Sequence, residues 1–256
     1  MEKKNNKILS IGTIIVVLLI WFIFTSLNLV DPKLVPHPMA VVRAFKEILK
    51  NGYRNHTLLQ HLSASLGRLL VALFCAILIG VPLGLYSGYN SKIKAILDPI
   101  IEFYRPLPPL AYYTILVLWL GIDNSSKIVL LFLASFAPIY IACVSAVEKV
   151  KEDYMKSAYV VGASKKQVFF HVIFPACLPD IFVGLRTGLG VAYTTLVSSE
   201  MVAAKSGIGW MVLDASRYLR SDIIFLGIII MGITGVLLDK GIQMIEYRVV
   251  PWKGKE

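Results

Sequence analysis

The chain has 256 residues, of which 57% are hydrophobic and 16% charged, and its formal net charge is +10 at pH 7. Soluble domains carry about 25% charged residues. Together with a mean hydropathy of +0.71, this excludes the ordinary soluble classes, because the apolar residues stand in the long blocks that membrane spans require.

The basic residues lie mainly between those blocks and form no run of four, so they read as topology and headgroup signals; no nucleic-acid partner is expected. Cys75, Cys143 and Cys177 are widely spaced, with no CxxC, and read as small packing residues. His37, His56, His61 and His171 are scattered and offer no metal-ligand spacing.

In chain order, Lys3, Lys4 and Lys7 precede an apolar run, Ile8 to Leu27, with no A-x-A-like cleavage site behind it. This predicts an uncleaved first membrane helix with its N-terminus in the cytoplasm. The stretch from Asn28 to His61 is polar and punctuated by Val35-Pro36-His37-Pro38. Within it Val41, Val42, Phe45, Ile48 and Leu49 recur at helical spacing opposite Arg43, Lys46, Glu47 and Lys50. The pattern predicts an amphipathic helix on the outer membrane surface.

Five further blocks are long enough to cross a bilayer: Leu62–Tyr86, Ala95–Leu120, Lys127–Val147, Ile181–Ala203 and Ile223–Ile245. The expected fold is an all-α integral membrane protein with six transmembrane helices and both termini cytoplasmic. The expected boundaries are 1–60 for the first helix and surface segment, 61–246 for the core and 247–256 for a basic cytoplasmic tail. Loop charge agrees with this orientation. Lys92, Lys94, Lys149, Lys151, Lys156, Lys165, Lys166, Arg248, Lys253 and Lys255 fall inside, and Lys205, Arg217, Arg220 and the basic residues of the amphipathic segment outside, so the rule rests mostly on the two termini and the longest later loop.

The segment from Glu148 to Pro179 lies between the fourth and fifth blocks. Tyr154, Ala158 and Val161, then Val168, Phe169, Val172 and Ile173, give apolar faces at helical spacing. Gly162 punctuates them, and Pro175 and Pro179 are expected to stop the second segment. Two short cytoplasmic helices bent at a glycine suit docking into a partner groove.

This segment resembles the EAA motif of binding-protein-dependent ABC transporter permeases: EAA, three residues, Gly, nine residues, then I-x-L-P. Anchored on Gly162, the motif falls on Lys156, Ser157 and Ala158, then on Val172, Phe174 and Pro175. Ala158, Gly162 and Pro175 match, Val172 is a mild change, and Lys156, Ser157 and Phe174 depart. The segments Leu97-Asp98-Pro99-Ile100-Ile101-Glu102-Phe103-Tyr104-Arg105-Pro106-Leu107-Pro108-Pro109 and Gly184-Leu185-Arg186-Thr187-Gly188-Leu189-Gly190 carry the resemblance towards the taurine and aliphatic-sulfonate branch. Branches for nitrate, bicarbonate and thiamine precursors share much of it.

The resemblance implies a type I ABC importer permease fold in a bacterial plasma membrane. It also implies a homodimer of this chain, two copies of a separate ATPase that hold ATP and magnesium, and an extracytoplasmic substrate-binding protein. The ATPase would couple through the loop that carries Lys156, Ser157, Ala158, Gly162, Ala163, Val172 and Pro175. No G-x-x-x-x-G-K-[ST] cradle occurs in this chain, and Gly254-Lys255 is a bare pair, so the chain itself is expected neither to hydrolyse nucleotide nor to hold a cofactor.

Ionisable residues within spans are functional candidates. Glu102 and Arg105, three apart, could pair on one helix face, and Pro106, Pro108 and Pro109 must interrupt the helix there. They read equally as a gate of the translocation path or as a structural ion pair at a helix break. Thr195, Ser198, Ser199 and Glu200 form a polar cluster near the outer end of the fifth span and are expected to line the path. Gly80 and Gly84, and again Gly184 and Gly188, are spaced for close helix approach. Arg68 and Arg186 are expected to snorkel to headgroups, and Asp239 to be paired or near the inner interface.

Two rivals compete with the permease reading. An ion-coupled secondary transporter would show more titratable mid-membrane groups and some internal repeat, and no repeat is visible. A membrane enzyme would show a catalytic constellation at membrane depth, and none is found.

Overall fold

A computed structural model describes residues 2–253; Met1, Gly254, Lys255 and Glu256 lie outside the described residues. The elements in order are α1 (Glu2–Ser26), α2 (Pro38–Asn51), α3 (Leu58–Tyr89), α4 (Ser91–Tyr104), α5 (Pro109–Leu120), α6 (Asn124–Glu148), α7 (Glu152–Val160) and α8 (Lys165–Val168). A π-helical turn, Phe169–Ile173, leads into α9 (Phe174–Ala203), followed by α10 (Ile208–Arg217) and α11 (Ser221–Val249). The fold is all-α, as the blocks implied.

Among the described residues, four helical stretches are long and apolar enough to cross a membrane: Leu58–Tyr89, Asn124–Glu148, Lys165–Val202 and Ser221–Val249. Local chemistry sets their ends. Thr57 accepts from Gln60 N while the Gln60 side chain accepts from Thr57 N, a reciprocal box that satisfies two otherwise unpaired donors at the start of α3. Asn90 closes α3 and caps α4 through Lys92 N. Thr57→Ala is expected to lower stability by about 1 kcal/mol, read from the thermal midpoint in nanodiscs.

The centre is a sandwich with α6 between α3 and α9. Backbones approach closely because glycines face α6 from both sides. A Cβ on Gly84 would stand 2.6 Å from Cys143 Cβ and 2.7 Å from the Tyr140 carbonyl oxygen, and one on Gly188 would stand 2.9 Å from Ile139. Ala142 blocks a Cβ at Gly184, and Gly80 meets Ile139 and Phe136 at 3.3 Å. Leu69, Ala72, Ala76, Leu131, Cys143, Cys177 and Ala192 fill this core.

The third expected span is broken. The prolines after Tyr104 divide it into helices of 14 and 12 residues, each too short at 1.5 Å per residue for a roughly 30 Å hydrocarbon layer. Together they run antiparallel along α6. Lys94 reaches Glu148, the Tyr140 hydroxyl donates to Asp98 at 3.0 Å, and Tyr113 and Leu116 pack on Leu130. The third block is thus two helices packed along α6 rather than one.

A second correction concerns the segment after Gly162. Pro175 and Pro179 do not end it, because the helix runs on from Lys165 to Val202. The wide turn Phe169–Ile173 sits ahead of Pro175, which has no N–H to offer its carbonyls, and the helix absorbs the missing donor there. At 38 residues this stretch is about 57 Å long, so its first turns project beyond a bilayer core.

The amphipathic helix is present as α2, and its apolar residues divide between two surroundings. Val41, Ala44 and Ile48 are buried against Ile208, Met211, Ala215, Ile223 and Leu226 of α10 and α11, whereas Val42, Phe45 and Leu49 are exposed. Trp21 of α1 stacks on Phe225, with ring centroids 5.6 Å apart. The bundle thus has an α7 end, where α3 and α6 finish, and an α10 end, where they begin.

Candidate functional site

At the α7 end, the helix of Glu152–Val160 stops in a closed C-terminal motif. Ala163 N donates to Ala158 O at 3.1 Å and Gly162 N to Tyr159 O at 3.0 Å. This pattern needs a left-handed residue just past the helix, and Gly162 has φ +87°. Nothing lies within 4 Å of where its Cβ would be, so backbone conformation rather than space demands the glycine.

Ser164 then caps the next turn reciprocally with Gln167. Ala158, Ala163 and Val172 pack on the main core, which fixes the elbow to the bundle. Pro175 is half-buried in the first turn of α9. Lys156 and Ser157 face outward, and Lys156 pairs with Glu152 at 2.7 Å. That hydrogen bond holds the Glu152 carboxyl below its ordinary value. At the tip, Val160 and Val161 are 86% and 83% exposed. The elbow therefore offers two apolar side chains on a rigid turn, with charge beside them.

The expected Glu102–Arg105 pair does not form. Both side chains are exposed, and no ion pair joins them among the described residues. Arg105 follows the last residue of α4, just ahead of the proline break. They line a cavity of about 180 Å³ with Lys94, Asp98, Tyr140 and Glu148. Pro106 and Pro108 stand in the break, and Pro109 opens α5.

Thr195 and Ser199 are buried in the protomer and give their hydroxyls to their own helix, at Val191 O (2.8 Å) and Leu196 O (2.9 Å). Ser198 is half-buried and bonds Thr194 O. The expected polar lining is thus largely turned inward in this conformation.

Glu200 corrects the expectation most. It is 1% exposed and sits in a dense network. Arg68 Nη1 donates to its Oε1 at 2.6 Å, the Ser65 hydroxyl reaches both oxygens at 2.8 and 2.9 Å, and Gly209 N donates to Oε2 at 2.9 Å. Arg68 therefore does not snorkel. It is 6% exposed and also binds Ser206 O and Asn124 Oδ1. Ile208 N donates to Ser65, and Gly207 N to His61 Nδ1. With φ +130° and the Glu200 carboxylate where its Cβ would go, Gly207 has room for no side chain.

The network ties α3 and α6 to the turn that joins α9 to α10. The sequence signal was His61, Ser65 and Arg68 at spacings of four and three, one polar face on an otherwise apolar helix. Arg186 does not snorkel either: it binds Asp239 by two bonds, at 2.7 and 3.2 Å, so Asp239 is paired.

The profile of the family described as binding-protein-dependent transport system inner membrane component matches residues 80–250. The taurine transport system permease protein TauC of Escherichia coli K12 is 43% identical over 96% of this chain and 90% of its own length. The putative aliphatic sulfonates transport permease protein SsuC of Bacillus subtilis 168 is 32% identical over 93% and 85%. The nitrate import permease protein NrtB of a Synechocystis species is 34% identical over 94% and 89%. Among solved structures, a chain of the MetNI methionine ABC transporter in inward-facing conformations is similar at TM-score 0.61. It is 20% identical, and the match covers 76% of this chain and 94% of that one. That likeness concerns the fold.

Proposed function

The chain belongs to the family of binding-protein-dependent transport system inner membrane components, and from that membership we propose that it forms the translocation path of an importer for a small organic sulfonate, with taurine first. The observation that carries the substrate class is the 43% identity to a taurine permease across nearly the whole chain, against 34% for a nitrate permease. Nitrate, bicarbonate and thiamine precursors are the alternatives within the class.

In this reading the α7 end faces the cytoplasm, both termini lie there, and two copies of the chain pair around the path, a two-fold arrangement being the commonest. A separate ATPase, in two copies and holding ATP and magnesium, seats the exposed elbow of Lys156, Ser157, Val160, Val161 and Gly162. An extracytoplasmic binding protein delivers solute to the α10 end. Support comes from the elbow's construction: Ala158, Ala163 and Val172 anchor it to the α3–α6–α9 core, so a push on α7 moves the bundle and not merely a loop. ATP-driven closure shifts the two access states by its difference in binding energy between them. The core is assigned to residues 61–246. Glu102, Arg105 and the proline break at Pro106–Pro109 form a gate at the α7 end, and Thr195, Ser198 and Ser199 turn towards solute in the other access state.

Affinity purification from the native membrane tests the reading, with tagged wild type beside Gly162→Pro. Recovery of an ATPase and a binding protein with wild type, and loss of the ATPase with the variant, is the expected result. Pro at this position cannot adopt φ +87°. The recovered binding protein is then titrated with taurine, longer sulfonates, nitrate and thiamine precursors. A wild type that purifies alone and moves solute without ATP refutes the proposal.

A further inference from the structure

Beside the Arg68–Glu200 network, at the α10 end, is a cavity of about 390 Å³ between the start of α6, the turn before it and the α9–α10 turn. Arg68, Lys127, Lys205, Ser206, Asp123 and Asn124 line it. Lys127 is the unusual member. It is 2% exposed, yet no carboxylate pairs with it among the described residues. Its Nζ donates to two backbone carbonyls, Ile122 O at 2.6 Å and Asp123 O at 3.1 Å. An ammonium has three N–H donors, so one has no protein acceptor among the described residues, and this side chain borders the cavity.

Burying an ammonium without a counter-charge is costly, and an anion held in the adjoining cavity would offset that cost. The neighbouring charges define that anion. The Arg68 guanidinium is already neutralised by Glu200. Asp123, exposed at the rim, offsets one of the two lysines. One positive charge is left over, which suits a monovalent anion better than a divalent one. Lys205 is exposed, the side chain of Ser206 is half-buried beside Arg68, and Asp123 makes no side-chain cap at the start of α6.

We infer that this cavity is a binding site for a small monovalent oxyanion, held by Lys127 from beneath and by Lys205 at the rim. It is placed where solute would enter from the α10 end. The site itself stands on these residues; its assignment to a transported sulfonate rests on the function proposed above.

An oxyanion here could also be the phosphodiester of an anionic lipid headgroup, and the test separates the two sources. The full chain with its co-purifying subunits, in phosphatidylcholine nanodiscs at fixed ionic strength, is heated at rising concentrations of sodium ethanesulfonate, a monoanion without an amine. Binding to the folded state raises the midpoint by mass action. The expected result is a saturable rise in wild type and in Lys127→Arg. Half-saturation is expected to move at least about tenfold higher in Lys127→Gln, the usual effect of losing one charge-assisted bond. Lys205→Gln, at the exposed rim, moves it in the same direction and serves where Lys127→Gln does not fold.

An identical response in all variants, or none in wild type, overturns the site. A rise produced by phosphatidylglycerol nanodiscs alone, dependent on Lys127 and not increased by ethanesulfonate, assigns the cavity to lipid and overturns the solute reading. Nitrate that acts through Lys127 while ethanesulfonate does not keeps the oxyanion site and removes the sulfonate substrate.

Discussion

Arg68→Met is expected to destabilise the protein by about 3–5 kcal/mol, the cost of leaving a buried charge without its partner. Glu200 is 1% exposed and accepts from three donors: Arg68 Nη1, the Ser65 hydroxyl, which lies within reach of both oxygens, and Gly209 N. Once the guanidinium is gone, Ser65 and one backbone amide cannot neutralise the carboxylate, so it must take up a proton or draw water into the helix junction. Either route loosens the α9–α10 turn, because Arg68 also holds Ser206 O. The measurement is unfolding in nanodiscs followed by tryptophan emission. Trp210 reports locally, since it stacks on His61 with ring centroids 5.6 Å apart at this junction. The double variant Arg68→Met/Glu200→Gln is expected to recover much of the loss, because replacing both charges removes the uncompensated one. A double variant no more stable than the single one would show that shape at this site matters more than charge.

Much of the architecture was legible because membrane helices announce themselves by length and hydropathy, and because glycine and proline act locally. Gly162 marked the elbow, since only a residue at ease with positive φ closes that helix end. The prolines after Tyr104 marked the break in the third span. Proline read less well at Pro175, where a π-helical turn lets the helix pass a residue that normally stops one. No periodic pattern in the sequence reveals such a turn.

Along α2, Ala44 is buried while the more apolar Phe45 and Leu49 are exposed, a division that hydropathy alone does not give. Burial there follows the fit to Met211 and Ile223, and in a membrane protein an exposed apolar residue is no anomaly. The charged residues were the hardest. A positive charge near a span end has the same local sequence whether it reaches for headgroups or for a carboxylate. Arg68 is 132 residues from Glu200, and Arg186 is 53 from Asp239. Only the packing of α3 and α11 against α9 brings those partners together. Lys127 was read merely as the first residue of a span, for the same reason.

Gly84→Ala is expected to cost about 3 kcal/mol, the upper end for overpacking a close interface, while Gly67→Ala is expected to be neutral or stabilising by up to about 1 kcal/mol. The chemistry added is the same methyl group on the same helix. At Gly84 it would lie 2.6 Å from Cys143 Cβ and 2.7 Å from the Tyr140 carbonyl oxygen, whereas at Gly67 nothing lies within 4 Å. Backbone oxygen cannot rotate away as a side chain can, so α3 and α6 must separate. The movement would reach further than the contact, because Gly188 holds α9 against the other side of α6, near Ser135 and Ile139. A separated α6 also shifts Tyr140 from Asp98 and so disturbs α4 at the gate. Gly84→Ala should therefore lower both the unfolding midpoint in nanodiscs and solute uptake, while Gly67→Ala leaves uptake near wild type. Equal midpoints for the two variants would mean that helix propensity, and not the contact between α3 and α6, sets the role of these glycines.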